Sequence, residues 1–420
     1  MTSFHPASRF AGHDDSPDAP ALRNLGRVSS EGLGVLRVAV VTNVLPHYRS
    51  EFYEQLFRRT DLDVRVFCQE SIPGMNLKVD HARFSDRVTL VRFRGASRER
   101  LGWQDLPWPS LLASFDVLIV LGNARVFSNV LLATAARLRG MPVIVWGQAH
   151  TAGANPWTES LRLAWLRLFD HLFLYTDGEV HRLRARGFRR QYLVGMNNGL
   201  DQTRIDEAAA AWSPERLEEW RRGQHLEGRT VVLSCARLET KNRFDLWVDA
   251  MPVVIARHPR LTWVVIGEGP ERARLESTIR SRGVVDHVRW VGPVFEESSL
   301  APWFLSSRLL VHPSGIGLTL LHAFGYGLPV VTSDDADAQM PEFDALSPGE
   351  TGWVYRAGDA ASLADVVMRG IDDAARESMG ARARQVARED YNVEVMVERF
   401  AQIAKQAAAS TRPHASERGA

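Results

Sequence analysis

Cysteine is nearly absent: the 420 residues contain only Cys68 and Cys235. The two lie far apart and outside any metal-ligand spacing. That argues against a disulfide framework or a cysteine-built zinc site and points to a reducing compartment. Long apolar runs are missing too. Segments such as Val117–Leu121 and Val143–Trp146 are strand-sized, well short of the roughly 20 residues that cross a bilayer. The N-terminus lacks an apolar signal-peptide core, so the expectation is a protein made and kept in the cytoplasm. No solenoid-period repeat is present. Net charge is close to zero, at +1, but unevenly placed: residues 35–200 carry 22 Lys+Arg against 14 Asp+Glu. A basic first half suits an anionic partner, such as a membrane surface or a phosphate-bearing acceptor, or is simply well solvated. No recognisable nucleic-acid module accompanies it, and no nucleic-acid role is expected.

What is present is an ordinary globular composition, 45% hydrophobic and 24% charged, in a chain long enough for two domains. Residues 1–34, with Pro, Asp, Ser and Gly and no periodicity, read as disordered. Apolar runs rich in β-branched residues then recur at 36–42, 63–67, 88–93, 116–121, 142–147, 171–175 and 191–194, several of them separated by helical patterns. Such alternation predicts a parallel sheet covered on both faces. The first Rossmann-like domain is placed at 35–200, with a linker carrying one charged helix at 201–228. A second Rossmann-like domain is placed at 229–390, and a helix at 391–408 is expected to pack back toward the first. Residues 409–420 read as a disordered tail.

The most informative stretch is HPSGIGLTLLHAFGYGLPVVT (312–332). It reads as the end of a strand, a glycine turn, a helix from Leu318, a Gly-Leu-Pro break and a second strand. A glycine turn opening a helix presents unpaired N–H groups and partial positive charge, which suits a phosphate. Gly315 and Gly317 permit close approach to the backbone, or serve turn geometry alone. Arg237 and Lys241 follow the first strand of the same domain. Two cations there suit a diphosphate, or form an exposed basic loop. Gly267 and Gly269 end another strand, but do not open a dinucleotide fingerprint.

Together these segments resemble the donor site of the family 4 retaining glycosyltransferases. Gly315, Gly317, Leu318, Leu321, Ala323, Gly327 and Pro329 fall in register with its glycine-rich motif. Ser314 and His322 replace its two glutamates, as in a similar subset from polysaccharide assembly with G-L-T-x-x-H. The Arg237–Lys241 element, the Gly267–Gly269 turn, the segment containing Val294 and the Pro-Glu element containing Glu342 also resemble family segments. The resemblance implies a GT-B fold of two Rossmann-like domains facing across a cleft, with a C-terminal crossover helix. It implies a metal-independent hexosyltransferase with no cofactor, using a nucleotide-diphosphate sugar as co-substrate. Arg237 and Lys241 would then stabilise the leaving diphosphate, while Gly267, Gly269, Val294, Ser314, Gly315, Gly317, Leu318, His322 and Glu342 would bind the donor. A non-catalytic partner in glycan assembly and a sugar-nucleotide epimerase are the alternatives.

In the first domain His47 and Arg49 follow the first strand, and Asn123 follows another. These are candidates for a glycan or lipid-linked acceptor. His150 follows a further strand, and the resemblance implies a place beside the donor sugar. The basic stretch within 175–193 either touches lipid headgroups at the inner membrane face or is solvated. Asp334, Asp335 and Asp337 read as loop residues, and no metal site is expected.

Overall fold

The computed structural model describes residues 34–71, 79–95, 102–149 and 156–411. His150, and residues 1–33 and 412–420 of the terminal segments read as disordered, lie outside the described residues, whereas residues 409–411, read as part of the tail, extend the C-terminal helix Val393–Thr411.

The first sheet has seven parallel strands: β1 (Leu36–Val41), β2 (Leu62–Cys68), β3 (Val88–Leu90), β4 (Val117–Leu121), β5 (Val143–Gly147), β6 (His171–Leu174) and β7 (Tyr192–Gly195). Their order is β3-β2-β1-β4-β5-β6-β7. Continuous runs such as Val38–Val41 are buried on both faces, the pattern of a covered parallel sheet. Against one face lie the helix Ser50–Phe57 and the C-terminal helix Val393–Thr411, whose Phe400 meets Phe52, Trp146 and Phe173 edge-on. The other face is covered by helices Phe127–Leu138, Pro156–Leu166 and Asp177–Ala185. The apolar run expected as a strand over 88–93 is shorter than its pattern. It ends at Leu90, and Phe93–Arg94 instead pairs antiparallel with Trp103–Gln104.

The second sheet has six parallel strands: β8 (Thr230–Cys235), β9 (Leu261–Ile266), β10 (Val288–Gly292), β11 (Leu309–Val311), β12 (Val330–Ser333) and β13 (Gly352–Tyr355). Their order is β10-β9-β8-β11-β12-β13, so strand order reverses between β8 and β11 as it does between β1 and β4. The segment 201–228, expected as a linker with one helix, contains two helices, Gln202–Ala210 and Pro214–Gly223. They pack on the second domain. Ile205, Ala208 and Leu226 enter its core, and Trp220 meets Trp303 edge-on at 4.7 Å. The charged surface of these helices hid that thin apolar stripe.

The chain passes between the domains twice, and the two passages run side by side. Leu200 N–H donates to the Tyr391 carbonyl at 3.2 Å. A Cβ on Gly199 would lie 2.1 Å from that same oxygen, so only glycine fits there.

Candidate functional site

In an open parallel sheet, ligands bind beyond the carboxyl ends of the strands where the order reverses. Beyond β8 and β11 two loops meet at that point. Ser314 N–H donates to the Asn242 carbonyl at 3.1 Å. The Asn242 amide in turn donates to the Arg237 carbonyl at 2.6 Å. Gly315 has φ +67°, in the left-handed region, and a Cβ there would lie 3.3 Å from Asn242 Oδ1. That oxygen is buried and has no hydrogen-bond partner. Gly317 precedes the helix Leu318–Gly325, whose first N–H groups lack intrahelical partners. The turn is fixed from behind: Ile316 N–H donates to Gln339 Oε1 at 2.8 Å, and the Gln339 amide donates to Thr332 Oγ1 at 3.0 Å.

Arg237 and Lys241 stand on the rim with more than half of each side chain exposed. Glu239 lies between them, 3.4 Å from Arg237 Nε and 3.2 Å from Lys241 Nζ. Both cations are thus held together at the crevice, by a carboxylate that motif reading passed over. Gly267 and Gly269 serve a different surface from the one expected. Their missing Cβ atoms would fall 1.9 Å from the Ala236 carbonyl oxygen and 2.3 Å from that of Leu238. Close backbone approach is required there, but the approaching group is the Arg237 loop itself. Val294 lies in the loop after β10, packed against the core. His312, at the start of the glycine stretch, is a core residue: burial lowers its pKa to about 4, and it meets Phe244 edge-on.

Glu342 faces the glycine turn. Its Oε2 is buried without a partner and lies 3.6 Å from where a Gly317 Cβ would stand. Its Oε1 accepts a hydrogen bond from Asn198 of the first domain. Burial raises the Glu342 carboxyl above its ordinary value, partly countered by that hydrogen bond and by the charge of Arg49. Arg49 sits among aromatic rings, with its guanidinium 5.1 Å from Trp146 and 5.2 Å from Tyr175. Two residues further along the loop, Asp344 accepts from Thr176 and from Arg182, the latter at 3.0 and 3.1 Å. Thr176 caps the helix Asp177–Ala185, so the carboxylate also meets a positive helix end. Sequence reading placed Glu342 here but missed Asn198, Asp344 and Thr176.

His322 is brought to the same crevice. Its Nε2 is 2.8 Å from Glu297 Oε1, which also accepts from the Tyr326 hydroxyl. The imidazole stacks on Phe304 with centroids 4.6 Å apart. Burial favours protonated Glu297, but the hydrogen bonds from His322 and Tyr326 and the nearby Arg204 outweigh it and hold the carboxyl below its ordinary value. Thr319 Oγ1 donates to the Cys235 carbonyl at 3.0 Å, tying this helix to the end of β8.

In the first domain His47 and Arg49 form the short turn after β1, with His47 exposed. Asn123 lies after β4, and its side-chain oxygen accepts from Arg125 N–H, shaping its own loop. Asp334 Oδ1 accepts from Ala357 N–H and Asp335 Oδ1 from Asp337 N–H, so both carboxylates order loop backbone. Among the described residues no cluster of three His, Cys, Asp or Glu side chains has metal-site geometry. A cavity of about 400 Å³ bounded by Arg137, His171, Arg190 and Tyr192 lies at the opposite end of the first sheet, away from this crevice.

Two parallel-sheet domains with strand reversals and a returning C-terminal helix make this a GT-B fold. The HepE protein of Anabaena, solved in complex with UDP, superposes with a TM-score of 0.65 at 14% identity, covering 88% of this chain and 100% of that one. Sucrose-phosphate synthase from Thermosynechococcus elongatus gives 0.62 at 17% identity, covering 89% and 100%. Residues 229–373, spanning all of β8–β13, match the family model described as Glycosyl transferases group 1. The phosphatidyl-myo-inositol mannosyltransferase of Mycobacterium leprae (strain TN) is 31% identical over 173 residues, 40% of this chain and 44% of that protein. The lipopolysaccharide core biosynthesis mannosyltransferase LpsB of Rhizobium meliloti (strain 1021) is 30% identical over 167 residues, 37% and 45% of the two chains. The chain thus matches less than half the length of these curated relatives, while the structural likeness extends over both domains.

Proposed function

We propose that this protein is a retaining glycosyltransferase of family 4, a hexosyltransferase that works without a metal. It moves a sugar from a nucleotide-diphosphate donor to a glycan or lipid-linked acceptor in cell-surface polysaccharide biosynthesis. The observation that carries this reading is the meeting of Arg237 and Lys241 with the Gly315–Gly317 turn where strand order reverses. That meeting lies inside the segment shared with the glycosyl transferases. The UDP held by HepE and the mannosyl transfer named for two relatives agree in chemistry.

In this reading Arg237 and Lys241 turn from Glu239 to the diphosphate and stabilise its charge as the glycosidic bond breaks. The N–H groups at the start of the helix Leu318–Gly325 hold phosphate or sugar oxygens, and Ser314 adds a hydroxyl. The unpartnered Glu342 Oε2 accepts from sugar hydroxyls, while His322 with Glu297 holds the ribose. The first domain, through His47 and Arg49, holds the acceptor. The closed cleft excludes water that would hydrolyse the donor. The residues described here supply no activated nucleophile, which fits attack by the acceptor from the leaving-group side.

The test is incubation with nucleotide sugars and a short glycan acceptor, reading product and anomeric configuration by NMR. A product with the donor's configuration supports the reading. Nucleotide binding without hydrolysis or transfer would instead favour a non-catalytic partner, a reading motivated by Ser314 and His322 standing where the family carries glutamates.

A further inference from the structure

We propose that Asn198 is a positioning residue for the donor sugar. It holds one oxygen of Glu342 and leaves the other facing the glycine turn, so that the site distinguishes a nucleotide sugar from a nucleoside diphosphate. This rests on the reading of Glu342 as a ligand of the sugar.

Two carboxylates of one short turn, Pro341–Ala345, reach the first domain, which meets them with different chemistry. Asp344 gives both oxygens to Arg182, and one of them also accepts from Thr176. Glu342 meets an amide instead. Asn198 Nδ2 donates to Oε1 alone, and Oε2 stays buried without a partner, 3.6 Å from the position of a Gly317 Cβ. A guanidinium in place of the amide would take both oxygens as a bidentate pair and leave none for a ligand. A buried acceptor without a donor costs stability, and its retention calls for an occupant. A sugar hydroxyl is a donor of the right kind.

Both ends of the contact are held in place. Asn198 and Glu342 are each 5% exposed. Asn198 follows β7, and its own N–H donates to the Tyr175 carbonyl at 3.0 Å. On one side Asn197 takes a left-handed backbone, φ +51°, and its side chain exchanges hydrogen bonds with Asp177 at 2.9 and 2.8 Å. On the other stands Gly199, where only glycine fits. Glu342 is tied to the glycine turn, because Met340 N–H donates to the Ile316 carbonyl at 3.1 Å. The domains have other ties, from Arg182 to Asp344 and from Arg204 to Glu51 at 3.3 Å. Loss of the Asn198 amide should therefore misdirect the carboxylate while the domains stay together.

Protonation gives a readout that a merely structural contact would not move. The groups acting on Glu342 are Arg49 and Tyr48 from the loop after β1, Asp344 from its own turn, and Asn198. Burial, the largest effect, and Asp344 favour the protonated acid, whereas the Asn198 bond and the Arg49 charge favour the carboxylate. The carboxylate is the stronger acceptor. Nucleotide-sugar affinity should thus rise with pH as Glu342 ionises, and removing the Asn198 amide should move that rise to higher pH.

The test is calorimetric titration of the full chain, across pH, with ADP, GDP, UDP and dTDP, each beside its hexose conjugates. The variants are Asn198→Ala, Asn198→Asp, Glu342→Gln and the double variant of Asn198→Ala with Glu342→Gln, each checked for folding by circular dichroism. Asn198→Ala should weaken the preferred nucleotide sugar about tenfold, the scale of a hydrogen bond to a charged group, and its nucleoside diphosphate less than about twofold. Asn198→Asp keeps the side-chain size and should lose at least as much. In the Glu342→Gln background Asn198→Ala should cost no further affinity. Equal losses for sugar and diphosphate, no loss, an unmoved pH profile, or the same loss in the Glu342→Gln background would overturn the proposal. If the full chain binds neither nucleotides nor their conjugates, the transfer reading fails and this inference with it.

Discussion

His322 Nε2 lies 2.8 Å from Glu297 Oε1, joining two helices of the second domain beside the end of β8. Where the resembled motif carries a glutamate, His322 stands within hydrogen-bond reach of a carboxylate 25 residues earlier in the chain. If this pair orients the donor ribose, Glu297→Gln should weaken nucleotide affinity roughly tenfold, the scale of one charge-assisted hydrogen bond. Calorimetric titration with the preferred nucleotide checks this. The fold should also lose acid sensitivity. Glu297 has a lowered folded value, so its stabilisation is present above the ordinary 4.5 and lost as pH falls below it. Affinity unchanged in Glu297→Gln would leave the pair a purely structural contact.

Burial holds Glu342 at a cost in stability near neutral pH. Its carboxyl is raised by burial, so the folded protein holds the proton more tightly than the unfolded chain. Its contribution favours folding below the ordinary 4.5 and is lost as pH rises through the raised value. Glu342→Gln should therefore raise the melting temperature at neutral pH, with the gain closing toward pH 4. Transfer should fall by at least tenfold, because the free oxygen is replaced by a donor. Thermal melts across pH, run beside transfer assays, read both effects. A lower melting temperature at pH 7 would contradict the burial argument.

Asp344 is a latch between domains. Asp344→Ala removes contacts to Thr176 and Arg182 together. Arg182 is about half exposed, which limits the loss to on the order of 1–2 kcal/mol. The larger effect should be on shape: small-angle scattering should show a greater radius of gyration for the variant without nucleotide. Identical scattering would mean that closure is held elsewhere.

The strands were legible because continuous valine, isoleucine and leucine runs such as Val117–Leu121 admit few other structures. The Gly315–Gly317 turn was legible because glycine, helix start and flanking strands occur within about twenty residues. Gly267 and Gly269 show a half-legible case. Two glycines ending a strand mark a place where something can approach the backbone closely, but the Ala236–Leu238 backbone that does so is some thirty residues away. Glu297 opens a helix, where the dipole favours a carboxylate, and nothing local in the sequence pairs it with His322. Asn198 and Glu342 are 144 residues apart, and Thr176 and Asp344 are 168 apart. Their contacts exist only after two domains have closed on each other.

The central claim is that Arg237 and Lys241 hold a nucleotide diphosphate against the Gly315–Gly317 turn. The direct measurement is thermal shift of the full chain and of Lys241→Ala with a panel of nucleoside diphosphates and nucleotide sugars. A ligand that binds only the folded state raises the melting temperature by mass action. The account predicts a shift with one nucleotide family in the full chain, and a loss of most of it in Lys241→Ala while the unliganded melting temperature stays the same. An equal shift in Lys241→Ala, or none with any nucleotide, would contradict it.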